Sequence, residues 1–198
     1  MFGLVRALRL RHNSAPMTYA AIITAELRLI QPVDLLEYDH LDRARRWVQS
    51  GQPLCRTAPP ATPPMHLVSY FPVVDRGHIL LGDHISSGLW LPPGGHVEPD
   101  EHPRDTVARE CQEELRRPAQ FLHPAPLFLT ISETIGANPH EDVCLWYALK
   151  GDADRLPDYD AREYRTMRWF GFNDAPLDDT DPNLERFLSK LSDQSVDA

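Results

Sequence analysis

Apolar residues in this chain gather in short blocks set apart by proline, glycine and acidic stretches. Residues 18–31 (TYAAIITAELRLIQ) are β-branched and apolar, and periodicity alone leaves a strand and a short helix both open. From Asp34 the spacing is clearer: Leu36, Leu41, Ala44, Trp47 and Val48 fall near helical intervals and Gly51 is a plausible stop. Such a helix packs on the domain or on a partner subunit, so a homodimer stays open. Five prolines in 52–64 (QPLCRTAPPATPP) dictate a loop or extended linker. His66–Val74 and His78–Leu81, joined by Asp75-Arg76-Gly77, read as a β-hairpin, and Leu89-Trp90-Leu91 as a strand. Residues 126–134, 142–150 and 165–172 read as further strands, with Trp146 and Tyr147 pointing to opposite faces. Residues 181–191 read as a closing helix, Pro182 at its start and Leu184, Phe187, Leu188 and Leu191 along one side.

The informative stretch is 90–117, WLPPGGHVEPDEHPRDTVARECQEELRR. Pro92 to Gly95 predict a rigid turn, and Pro103 opens a helix whose Val107, Ala108, Cys111 and Leu115 make one packing stripe. Its other face carries Glu110, Glu113 and Glu114, carboxylates at i, i+3 and i+4 that repel one another by a few tenths of a kcal/mol per pair. Such a face either stays in water or holds a cation. The combined spacing decides: Gly95, Glu101, Arg109-Glu110 and Glu113-Glu114 stand at the intervals of the Nudix box. At about 6% frequency per residue type, six fixed matches arise by chance in a chain this long on the order of once in 10^5. This stretch therefore resembles a Nudix hydrolase. The box usually ends in a small residue, glycine and an aliphatic residue, where this chain has Leu115, Arg116 and Arg117. Arginine in place of the glycine implies a different helix end, running on until Pro118 stops it.

The resemblance implies an α+β fold, the Nudix-type α/β/α sandwich with a mixed β-sheet. It also implies hydrolysis of a phosphoanhydride bond in a nucleoside diphosphate-linked substrate, either a nucleoside triphosphate or a nucleotide sugar. Clustered phosphate charge calls for hard cations and a base, and oxygen ligands suit Mg²⁺ or Mn²⁺. By the same resemblance Glu110, Glu114 and the Gly94 carbonyl are the metal ligands. Glu113 is a further ligand or the base, and Arg109 and Glu101 hold the box carboxylates in position. Glu98 matches a commonly acidic position. A further acidic group would come from Asp158, Asp160 or Glu163. Phe71, Trp90, Trp146 and Tyr147 read as core before they read as base-stacking groups, and Asp181 or Asn183 could meet a base edge. The rival reading is a non-catalytic Nudix-fold module that senses a nucleotide or binds a protein, against which stand the retained, mutually repelling glutamates.

Composition narrows the partners. A formal net charge of −9 disfavours nucleic-acid backbones and anionic membranes, leaving a small nucleotide that approaches with metal ions. Three cysteines without CxxC pairing predict reduced thiols, a cytoplasmic setting and no structural zinc, and His66, His84, His96 and His140 are not spaced as zinc ligands, reading as surface or substrate-lining groups. Residues 1–16, basic and without an acidic residue, read as a tail. An extension with one helix and the proline-rich loop occupies 17–64, the Nudix domain 65–193, and a short tail 194–198.

Overall fold

A computed structural model describes residues 17–59, 62–134 and 138–195; the tail assigned to 1–16 lies outside them. Four α-helices are present among the described residues: α1 (Tyr19–Leu29), α2 (Leu35–Gln49), α3 (Pro103–Leu115) and α4 (Leu184–Ser195). Nine strands accompany them: β1 (Met65–Tyr70), β2 (Val73–Asp75), β3 (His78–His84), β4 (Trp90–Leu91), β5 (Gly94–His96), β6 (Phe128–Glu133), β7 (Glu141–Trp146), β8 (Leu149–Lys150) and β9 (Tyr164–Gly171). The ambiguous 18–31 segment is helical because Thr18 caps it, its side chain accepting from the Ala21 N–H, and because Ile23 and Leu27, one turn apart, are both buried. Asp34 caps α2 in the same way at 2.7 Å from the Glu37 nitrogen.

The strands form two sheets. One runs β5-β1-β7-β6, with β1 and β7 parallel and the other pairs antiparallel; in the other, β3 pairs with β2, β4 and β9 and β2 pairs with β8. The expected hairpin is thus split. β2 and β3 are antiparallel neighbours, but β1 belongs to the first sheet, because Pro72 offers no N–H to continue a ladder and the chain changes sheets there. The single strand expected at 142–150 divides in the same way into β7 and β8, and Gly94-Gly95, expected in a turn, is strand β5 against β1.

Alternation along the first sheet supplies two cores. Leu67, Leu129, Val143, Leu145 and Tyr147 pack with α1, α2 and α3; Val68, Phe128, Cys144 and Trp146 pack with α4 and the second sheet. Trp146 and Tyr147 therefore do face opposite ways, and the result is an α/β/α arrangement with mixed sheets. None of the described helices is long and apolar enough to cross a membrane, and all three cysteines are free and buried.

Helix α3 does not run on to Pro118. It ends at Leu115, and Arg116 itself takes the left-handed conformation (φ 52°, ψ 29°) that glycine usually supplies. The Glu114 carbonyl at that end accepts from the Asp160 N–H at 2.8 Å, so the stop is held by tertiary hydrogen bonding. A left-handed non-glycine residue costs about 1–2 kcal/mol, and glycine costs about 0.5–1 kcal/mol in the unfolded chain. Arg116→Gly is expected to raise unfolding stability by a few tenths to about 1 kcal/mol in urea melts; a loss of stability would show that the 3.4 Å pair of Arg116 with Asp160 outweighs the strain.

Candidate active site

Helix α3 lies across β1 and β5 with its acidic face on a cleft of about 1090 Å³. His102 caps the helix, accepting from the Arg104 N–H, and Pro103 occupies its first turn. Arg109 is the hub. Its Nε and Nη2 donate to the two oxygens of Glu101, each at 2.9 Å, while Nη1 donates to Glu110 at 2.7 Å and Nη2 to the His96 carbonyl at 3.2 Å. A planar guanidinium with donors on both edges is the one side chain that can hold two carboxylates and a strand carbonyl at once. Glu101 also accepts from Thr106 Oγ1 at 2.7 Å. Burial pushes Glu101 up, but these hydrogen bonds outweigh it and hold the carboxyl below its ordinary range.

Glu110 and Glu114 both shift the other way from Glu101. Burial raises Glu110 despite its bond to Arg109, with Glu113 adding to the rise. Glu114 is only 6% exposed. Burial first, then the charges of Glu110 and Glu163, drive it well above the ordinary carboxylate range, against hydrogen bonds from Tyr164 and the Gly94 N–H. The Tyr164 hydroxyl donates to Glu114 Oε2 at 2.6 Å. Gly82 on β3 makes room for that tyrosine, since a Cβ there would stand 2.2 Å from the ring. Glu113 is the most open of the three, with a side chain 59% exposed, and meets Arg109 at 3.9 Å. Buried Glu114, which has no cationic partner among the described residues, half-buried Glu110, which shares Arg109 with Glu101, and open Glu113 form an oxygen-donor set that a hard divalent cation would satisfy, so the residues fit Mg²⁺ or Mn²⁺.

Gly95 is needed for close approach: a Cβ would lie 2.0 Å from Glu110 Oε1. Gly95→Ala is expected to displace that carboxylate and lower kcat about 100-fold with the fold retained. Unchanged kcat, with circular dichroism matching the parent, would show that Glu110 need not sit there.

Gly94, Glu110, Glu113, Glu114, Asp160 and Glu163 all line the cleft, whereas Glu98 is exposed at its outside and Asp158 does not reach it. Asp160 is tied to Arg162, which holds its carboxyl far below the usual range, while Glu163 lies close enough to raise Glu114. Phe71, Trp146 and Tyr147 are fully buried. Asp181 faces the cleft, and Asn183 is turned to Ser132 at 3.1 Å.

His84, His96 and His140 line the cleft, as the sequence reading expects, and His66 corrects it. His66 is fully buried, and its ring stands 5.0 Å from that of His96 and 4.8 Å from that of His140, with Asp142 beside them. Primary spacing hides the group, because the β1–β7 register sets His66 opposite Asp142 and the β1–β5 register sets His96 opposite Val68, two residues along the same face.

The family model for the NUDIX domain matches residues 65–191. The chain belongs to the Nudix family. Within that family it is similar to the asymmetrical bis(5'-nucleosyl)-tetraphosphatase of Sus scrofa, 33% identical over 97 residues, which are 46% of this chain and 62% of that protein. It is also similar to the RNA pyrophosphohydrolase of Gluconacetobacter diazotrophicus, 28% identical over 108 residues, covering 48% of this chain and 64% of that one. The chain thus spans less than two thirds of either relative. Among solved structures, a Nudix-family hydrolase from Clostridium perfringens superposes with a TM-score of 0.51 at 18% identity, covering 64% of this chain and 96% of that one, a likeness of fold.

Proposed function

We propose that this Nudix protein is a metal-dependent hydrolase of a phosphoanhydride bond in a nucleoside diphosphate-linked substrate. The observation that carries the reading is the Arg109 fork, which holds Glu101 and Glu110 beside buried Glu114 on the wall of a cleft large enough for a nucleotide. Glu110, Glu114 and the Gly94 carbonyl would hold Mg²⁺ or Mn²⁺. When bound, the ion neutralises phosphate oxygens and makes water a better nucleophile. Arg109 keeps the carboxylates where they are needed before substrate arrives, and Tyr164 orients Glu114. Glu113, open to the cleft, is placed to take a proton from the attacking water, with Glu163 the other candidate. Arg56, Arg116 and Arg162 line the same cleft and offer guanidinium groups to a phosphate chain.

That lining supports phosphate-rich substrates as a class. A nucleoside triphosphate or a nucleotide sugar fits it, and the porcine relative's name adds dinucleoside polyphosphates to the set. The test is product release across these three classes with Mg²⁺, with Mn²⁺ and with chelator. Turnover with metal that chelator abolishes supports the reading and selects the class. No turnover, with nucleotide binding intact, would favour a nucleotide-sensing module.

A further inference from the structure

We propose that His66, His96, His140 and Asp142 form a second metal site, with ligands separate from the glutamates of α3 although His96, His140 and Asp142 line the same cleft, that takes a zinc-class divalent ion. The donor atoms of all four side chains lie within 4.8 Å of one another. Hydrogen bonding fixes which nitrogen is bare. His66 Nδ1 sits 2.8 Å from the Pro63 carbonyl, and His140 Nδ1 sits 2.8 Å from the Asn138 carbonyl and 3.0 Å from Thr134 Oγ1. A carbonyl can only accept, so both Nδ1 atoms carry the proton, and in the neutral rings both Nε2 atoms present a lone pair.

Those lone pairs converge on an acceptor. His66 Nε2 and His140 Nε2 each stand 3.4 Å from Asp142 Oδ1. Among the described residues, His66 Nε2, His96 Nε2 and Asp142 Oδ1 are all buried and without a hydrogen-bond partner. A bare His66 nitrogen facing a bare Asp142 oxygen, two acceptors with a third unpartnered ring nitrogen on His96 beside them, is unfavourable unless something positive lies between them. Bonds of about 2.0–2.1 Å from a tetrahedral ion put neighbouring ligands about 3.4 Å apart, the separation seen on both histidine–aspartate edges. Imidazole-rich donors select zinc-class ions over Mg²⁺. The backbone carbonyls behind His66 and His140 serve as the outer hydrogen-bond partners that orient such ligands. Four protein ligands close the coordination shell, which makes the site structural. It would fasten β5 to β1 and to the start of β7, and so fix the strand that carries Gly94 and Gly95 and whose His96 carbonyl receives Arg109. In the absence of a metal the charges that compensate Asp142 are those of His140, 3.4 Å away, and then Arg56, and metal analysis separates these arrangements from the metal site.

The full chain would be stripped with chelator, dialysed, and titrated with Zn²⁺ and separately with Co²⁺ in excess Mg²⁺, which saturates the glutamate site. One equivalent of Zn²⁺ that Mg²⁺ does not displace, and a Co²⁺ complex with the intense visible absorption of tetrahedral coordination, are expected. His140→Ala and Asp142→Asn, chosen because fully buried His66 is the riskier position for folding, should each weaken Zn²⁺ binding ten- to a hundredfold with unchanged circular dichroism. Glu114→Gln should bind Zn²⁺ as the parent does. Absence of a Mg²⁺-resistant equivalent, parent-like binding in both histidine-site variants, or its loss in Glu114→Gln would overturn the proposal.

Discussion

Glu114→Gln is expected to lower kcat by about 10²–10³-fold while the protein folds as before. The substitution keeps the volume of the side chain and an oxygen that can accept from Tyr164, so the packing around a nearly buried position is preserved. What it removes is a negative charge, and without a cation that charge is opposed by burial and by Glu110 and Glu163. Thermal stability measured in chelator should therefore be equal to or higher than that of the parent. The addition of Mg²⁺ should raise the melting temperature of the parent and not that of the variant. An unimpaired kcat would sink the metal-ligand assignment of Glu114. A collapsed melting temperature in chelator would instead mean that the carboxylate has a structural partner that the Tyr164 bond does not represent.

The second large effect is on stability. Lys190 on α4 and Glu37 on α2 are 1% and 0% exposed and meet at 2.6 Å. Burial lowers the lysine's proton affinity and the glutamate partly restores it. Glu37 also accepts from the Val33 N–H at 2.9 Å, and Arg186 of α4 donates two hydrogen bonds to Asp34, the cap of α2. These contacts join the N-terminal helices to the last one. Removing one partner of a buried pair leaves an uncompensated charge, so Lys190→Met should cost about 3–5 kcal/mol in chemical denaturation. For a chain of this size that corresponds to a fall in Tm of roughly 6–20 °C. The double variant Glu37→Leu with Lys190→Met should recover most of the loss, because it buries no charge. A single variant costing under about 1 kcal/mol would show that water reaches the pair.

The chemistry of the α3 face was readable from sequence because helical geometry is local. Residues at i, i+3 and i+4 share a face wherever the helix sits, so Arg109, Glu110, Glu113 and Glu114 could be placed together from spacing, and Pro103 marked the start. The same reasoning fails at the helix end, where it carries the helix on to Pro118: the stop at Leu115 depends on the Asp160 N–H, a contact forty-odd residues away that no local rule contains. It failed again for the hairpin, since whether β1 continues into β2 depends on which strand each one pairs with.

Sequence by itself determined the carboxylate face, the alternation that sends Trp146 and Tyr147 to opposite cores, and the family. Tertiary structure decided what those groups meet. Strand register put His66, His96 and Asp142 on one face, and the β9 pairing with β3 carried Tyr164 to Glu114. The packing of α4 set Lys190 against Glu37. The physical reason is that pairing between strands and packing between helices are chosen by the whole fold, while spacing along one helix is chosen by the backbone alone.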